Sequence, residues 1–503
     1  MARARTRPGA CFEHGRPDHS RNRMNLSTRR VTERATSHAG AVSLALAGLV
    51  LLLLPPSPVR AQLTLRDALR EADRSAYGNR IAAGTAGAQH AQVLASLEGV
   101  LPNVRFEAGY VRTTDPIAVF GATLRQRTIT QANFDPQRLN FPSALGNYQS
   151  AFIVEQPLLN ADAWAGRRAA LHAAGASRAV QEWTRLSTRA DVVRAYYGTV
   201  LATERVATLQ TAARAAHAHA AQADAMVKQG LVTKSDALLA AVRAEQVDAQ
   251  LAEARGGAAT ALRQLAVMVG RDGSAAVDLG LRIRLPSTEH IRAAVAGDTA
   301  VLLGQTRSDV RAATEGMAAA RTDALRARST LLPRLNGFAR YDWNSASGLY
   351  AGDHNWTVGV MASWSPFGGP SKIADIQATA GRAAAADAQA DAASANARLD
   401  LEQTRIALGV ALTQLEIAER AATQSAEAHR IVSRKYEGGL ASVVELLDAQ
   451  AVETQSALAL SQARWATIAA DAARRLALGI DPATLASLDD ADPVATRDAQ
   501  PNN

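Results

Sequence analysis

The chain has 503 residues, of which 20% are charged and 4% aromatic, an alanine-rich mixture that suits long packed helices better than a large aromatic core. Its formal charge of +8 suggests a nucleic-acid binder only until the charge is located. Residues 1–61 hold ten arginines and three acids, leaving 45 basic against 44 acidic groups of the 55 and 47 in the whole chain, and this balance argues against nucleic acid as a partner.

In chain order, the first feature is the apolar run 40–54, followed by Pro55, Pro56 and the small-residue end Val59-Arg60-Ala61. This predicts a leader and signal peptide over 1–61, cut after Ala61. The run is shorter than the roughly 20 residues a spanning helix needs. Arg29-Arg30 lie too far ahead of it for the twin-arginine route. Met1 and Met24 both stand open as the start. The one cysteine, Cys11, falls in the leader, so the mature part is expected to carry no disulfide, thiolate metal site or lipid-accepting cysteine. No later apolar run reaches membrane-helix length, which excludes a polytopic helical transporter.

The mature sequence repeats itself. Pro157 matches Pro366, Gly230-Leu231 matches Gly439-Leu440, Asp236 matches Glu445, and Gly270 matches Gly479, each 209 positions apart. Upstream, Leu101-Pro102 matches Leu332-Pro333 at 231, so the first copy carries about 22 extra residues between its prolines. The expected organisation is a first repeat over 62–270, a linker or equatorial region over 271–300, a second repeat over 301–480 and a polar tail over 481–503. Residues 271–300 and the tail are expected to form a belt around the helices.

Each repeat opens with a helix and then alternates with period two. Val104, Phe106, Ala108 and Tyr110 share one face against Arg105, Glu107 and Gly109, and Leu335, Gly337, Ala339 and Tyr341 do so against Asn336, Arg340 and Asp342. The closing segments 148–155 and 356–363 alternate likewise. Strands are therefore expected at 103–113, 147–157, 334–344 and 354–365, of the length a tilted transmembrane β-strand needs. The extra residues of the first copy predict a large exposed loop over 114–140, against a short counterpart at 345–353.

From 161 to 228 no proline interrupts the chain, and a helix of that extent would reach about 100 Å. Trp183, Leu186, Ala190, Val193, Tyr197 and Val200 keep coiled-coil spacing, as do Leu401, Leu408, Leu412 and Leu415 in the second copy. Each copy should thus fold as a long helical hairpin, with tips near Gly230 and Gly439. Glu445 and Asp448, three apart, fall on one helix face. His217 and His219 are two apart and so on different faces, which suits solvent-exposed side chains better than metal ligands. No nucleophile and base set or ligand cluster supports an enzyme, and neither a catalytic site, a metal nor a cofactor is expected.

Together these features resemble the outer membrane efflux protein family, the TolC-like ducts, over roughly residues 63–480. The motifs that carry the likeness are the signal peptide, the opening Leu63-Thr64-Leu65-Arg66-Asp67-Ala68-Leu69, a Leu-Pro before the first strand of each copy, and a Gly-Leu tip followed by an acid. The resemblance implies a mainly α protein with a transmembrane β part: a homotrimer whose helical hairpins build an α-barrel and whose four strands per protomer share a 12-stranded β-barrel. It implies a passive, non-enzymatic exit duct in the cell outer membrane with a long periplasmic part. Such a duct is fed by a periplasmic adaptor and an inner-membrane pump, in efflux or type I secretion. Carried over by residue, Glu445 and Asp448 would ring the channel aperture, Ser235, Asp236 and Tyr436 would hold the tip closed, and Gly230, Leu231, Gly439 and Leu440 would meet the adaptor. A basic residue that some members place two positions after the tip glycine is Ala441 here, which leaves open whether the tip has a charged lock.

Two other readings compete. An exported coiled-coil scaffold of the periplasm explains the helices but not four alternating strands at matching positions. An exported enzyme built on Glu445 and Asp448 would need a closed pocket that a hairpin tip does not offer. The substrate, whether drug, metal ion or protein, is not written in the sequence.

Overall fold

The computed structural model describes residues 63–272, 284–296 and 307–490. The expected leader, residues 273–283 and 297–300 of the linker region, residues 301–306 of the second repeat, and the tail beyond 490 lie outside them. Two short helices, α1 (Leu65–Ser75) and α2 (Tyr77–Ala95), precede strand β1 (Asn103–Thr113). The segment between β1 and β2 (Leu145–Leu159) holds helices α3 (Pro116–Arg125) and α4 (Pro136–Asn140). The long α5 (Ala161–Lys228) and α6 (Lys234–Met268) complete the first copy. After α7 (Thr288–Ala296), the second copy runs through α8 (Ser308–Ser329), β3 (Arg334–Ser345), β4 (Asp353–Ser363), α9 (Pro370–Glu437) and α10 (Val443–Ala477).

The repetition in sequence is repetition in structure. Helices α5 and α9 have 68 residues each, and α6 and α10 have 35 each. All four helices close on a glycine in the left-handed region: Gly230, Gly270, Gly439 and Gly479, with φ between 74° and 86°. At each, the amide after the glycine reaches back to the carbonyl five residues before it, as Leu231 does to Met226 at 2.9 Å and Leu440 to Lys435 at 2.7 Å. This leaves few helix-end carbonyls without a donor, and a side chain at that φ would be strained.

The four strands form one antiparallel sheet in the order β1-β2-β3-β4, leaving β1 and β4 as edges. Its register brings Phe106, Phe152, Tyr341 and Trp356 into one row across all four strands. Around that row, Tyr110 meets Tyr148 at 4.6 Å and Tyr341 meets Trp343 at 4.7 Å between ring centroids. The opposite face is polar. There Arg105 pairs with Glu107 at 3.0 Å and Glu155 at 3.3 Å, and Arg340 pairs with Asp342 at 2.6 Å. A sheet with one aromatic and one charged face suits lipid on one side and water on the other. Among the described residues no helix is long and apolar enough to cross a membrane.

Next to the sheet the helices pack in the order α2-α5-α8-α9, the order of the strands they adjoin; toward the tips the order is α6-α5-α10-α9. The largest buried core lies between these zones, where Val192, Val193, Tyr196, Tyr197 and Val200 of α5 meet Leu65 and Leu69 of α1, Leu265 of α6 and Ile468 of α10. Leu285 and Ile291, from the region expected as a belt, and Leu485 and Leu488, from the start of the tail, enter the same cluster. Arg475 ties them down, donating to Thr484 Oγ1 at 2.6 Å and to the Ala294 carbonyl at 3.1 Å. The expected α5 seam is buried from Leu186 to Val200, whereas Trp183 lies under the Arg307 guanidinium at 4.7 Å. On α9, Leu408 and Leu415 are buried, while Leu401 is 37% exposed because α9 forms an open edge of the helical layer.

Candidate functional site

Each hairpin tip is built from a glycine stop and a capped restart three residues later. Asp236 Oδ2 accepts from the Thr233 amide at 3.1 Å and its hydroxyl at 2.8 Å, while the Asp236 amide donates back to Thr233 Oγ1 at 3.3 Å. Glu445 Oε2 accepts from the Ser442 amide at 2.8 Å, and the Glu445 amide donates to Ser442 Oγ at 3.2 Å. These reciprocal boxes satisfy helix-end amides that would otherwise lack acceptors. The equivalent acids of the two copies thus have the same local task. Thr233 and Ser442 are not among the residues expected from sequence at the tips, although Thr-x-x-Asp and Ser-x-x-Glu are legible cap signatures.

Between the tips lies a small core of Ala223, Ala240, Tyr436, Val443, Leu446 and Leu447, with Met226 and Ala441 packed against it. Ala441, where a basic residue would complete a charged lock, is therefore an apolar packing residue. Within α10 the buried positions Val443, Leu446 and Leu447 face this core, while Glu445 and Asp448 are exposed. Asp448 makes no hydrogen bond or ion pair among the described residues, in contrast to the committed carboxylate of Glu445. Leu231 and Leu440, each just past a tip glycine, are exposed apolar side chains, Leu440 by 83%.

Tyr436 sits differently from the expected gate. Its hydroxyl donates to Met226 Sδ at 3.2 Å, not to Ser235 or Asp236, while Ser235 shares a hydroxyl contact of 2.7 Å with Thr233. Burial, and then the nearby Asp236 charge, push the Tyr436 phenol above its ordinary pKa, so it keeps its proton at neutral pH. A thioether is a weak acceptor, and Tyr436→Phe should therefore cost less than about 1 kcal/mol. Tyr436→Ala should cost roughly 3–5 kcal/mol by opening a cavity; thermal unfolding of the two variants checks the contrast.

Higher on the hairpins, His217 pairs with Asp248 at 2.7 Å and His429 with Glu453 at 2.5 Å. His219 is half-buried, and burial followed by the neighbouring His429 lowers its pKa. Among the described residues no three of His, Cys, Asp and Glu group as metal ligands.

The sequence model of the outer membrane efflux protein family matches residues 87–271 and 301–479, well over half of the chain. A search of the curated proteins gives no match. Among solved structures, the Campylobacter jejuni CmeC outer membrane channel superposes with a TM-score of 0.69 at 16% identity, covering 85% of this chain and 88% of that one. The outer membrane protein VceC of Vibrio cholerae gives 0.68 at 17%, with 83% and 96% covered. The open state of the Neisseria gonorrhoeae MtrE outer membrane channel gives 0.66 at 18%, with 83% and 89% covered. These likenesses show a shared fold of α-helical and β-barrel parts. The resemblance read from the repeats and tips is thereby the one that both copies carry: the chain belongs to the outer membrane efflux protein family.

Proposed function

We propose that this chain is the outer-membrane exit duct of a tripartite efflux or type I secretion system. It conducts passively what a periplasmic adaptor and an inner-membrane pump deliver. The observation that carries this reading is the sheet: four strands, two open edges, one aromatic face and one charged face. Open edges cannot remain unpaired in lipid, and three copies joined edge to edge supply twelve strands, enough to close a barrel. The helical layers end at matching edges, where Ile81 of α2, Val242 of α6, and Ile406, Val410 and Ile417 of α9 are exposed apolar side chains suited to a second copy of the chain.

In this assembly the charged sheet face lines the passage and the tips close its inner end. Leu231 and Leu440, exposed beside Gly230 and Gly439, offer the adaptor apolar anchors on rigid turns. Transport chemistry stays with the pump; the duct contributes closure and opening. Expressed in a bacterium with two membranes, the mature chain should fractionate with the outer membrane and migrate as a detergent-stable trimer. Recovery as a soluble periplasmic monomer would favour the scaffold reading instead. A tag placed near Asn133, in the segment between β1 and β2, should be reached by membrane-impermeant reagents on intact cells; protection of that tag would mean the opposite orientation.

A further inference from the structure

We propose that the segment between β1 and β2 is a second gate, seated in the outer mouth of the passage. The inference rests on the duct reading above. Residues 114–140 are expected from sequence as an exposed loop; they form instead a capped helical unit. Asp115 accepts from the Ala118 amide at 2.8 Å with Pro116 opening α3, and Asp135 accepts from the Gln137 amide at 2.9 Å with Pro136 opening α4. Between them, Asn133 Oδ1 accepts from the Thr130 amide at 2.7 Å. Side-chain caps and prolines at the helix starts give the segment a defined fold of its own.

Among the described residues, its polar attachments to the sheet all go to the charged face or to strand backbone, and none to an aromatic-face side chain. Gln126 Nε2 donates to Asn147 Oδ1 at 2.8 Å and to the Gly146 carbonyl at 3.2 Å, and Asn147 Nδ2 donates to Asn344 Oδ1 at 2.9 Å. All three amides are buried, so this is a satisfied polar relay from α3 across β2 to β3. The next residue, Arg127, reaches β4, pairing with Asp353 at 3.4 Å and donating to the His354 carbonyl at 3.4 Å. It does so from φ 54°, a left-handed conformation unusual for a non-glycine residue. Asn147, Asn344 and Asp353 alternate along their strands with Tyr148, Trp343 and His354 of the aromatic side. They therefore share the face of Arg105 and Arg340, the face that lines the passage.

The short connection between β3 and β4 goes the other way. The Leu349 carbonyl accepts from the Ser150 hydroxyl, and Tyr350 stacks on Phe106 at 6.0 Å, both on the aromatic side. Of the two connections the larger is turned inward, and among the described residues its Ile117 and Phe141 are left 84% and 85% exposed. In a closed trimer three such units share one mouth, and these side chains are placed to narrow it.

Two constrictions in series hide each other, so the test uses channels whose tips are loosened by Tyr436→Ala. No cysteine lies between residues 62 and 503, which allows Ile117→Cys to be labelled alone. A bulky cationic methanethiosulfonate reagent added to the side bearing this segment should cut single-channel conductance by roughly twofold or more. Freeing the unit with Gln126→Ala and Arg127→Ala should raise it by a similar factor. Conductance unchanged by labelling, in channels that are otherwise open, would overturn the second gate even if the double variant fails to assemble. A tip-loosened protein that inserts as a trimer yet never conducts would overturn the duct reading itself.

Discussion

Replacing Asp448 by alanine should weaken the cation preference of the open channel without loosening the fold. The carboxylate is exposed on the side of α10 away from the tip core and has no partner among the described residues, so its removal breaks no local contact. Glu445 stands one turn away on the same face, and three copies of each acid would bring stacked carboxylates into a narrow passage, favouring cations. The two acids should nevertheless differ. Glu445→Ala removes a helix cap as well as a charge and should cost about 0.5–2 kcal/mol. Glu445→Gln keeps an acceptor for the Ser442 amide and should remove the charge alone. Reversal potentials across a salt gradient are the measurement. Selectivity unchanged in the combined Glu445→Gln, Asp448→Asn channel would place both acids away from the constriction.

A larger loss of stability is expected where the belt meets the helices. Asp471 is fully buried in α10. One carboxylate oxygen accepts from Arg474 at 2.8 and 3.0 Å and the other from Arg475 Nε at 2.7 Å. Through Arg475 the group reaches Thr484 and the Ala294 carbonyl, so one carboxylate organises α10, α7 and the turn after α10. Asp471→Ala removes a fully buried carboxylate that two guanidinium groups share, a change worth roughly 3–5 kcal/mol. The unfolding midpoint in detergent should fall sharply, and the trimer should dissociate at lower temperature. Arg420→Ala, which breaks the exposed pair with Glu416 at 2.9 Å, should leave both readings unchanged. A shift as small for Asp471→Ala as for Arg420→Ala would deny the latch.

Much of this architecture can be read from residue order, because it is repeated and because its periods are long. A glycine recurring after 209 positions marks a helix end twice, and two independent copies of a weak signal amount to a strong one. The alternation around Phe106 and Tyr341 likewise survives because a one-residue slip would exchange the aromatic and charged faces. The helices between β1 and β2 are too short to show a period, although Asp-Pro at 115–116 and again at 135–136 is a cap followed by a helix start. Leu401 keeps the coiled-coil spacing yet remains exposed, since spacing does not reveal which helix lies at the edge of a protomer. At the tips, the acid of each cap box could be located, but not its use. The contact of Tyr436 with Met226, 210 positions away in the chain, depends on how the two hairpins pack, which no local pattern encodes.

Whether this chain is a conduit is read from the planar-bilayer conductance of the purified mature protein. Trimers should insert from detergent and conduct in small, cation-preferring steps, with larger steps when Tyr436→Ala loosens the tips. Trimer-free preparations, or inserted trimers whose conductance stays at the bilayer background with tips intact and with tips loosened, would contradict the duct reading.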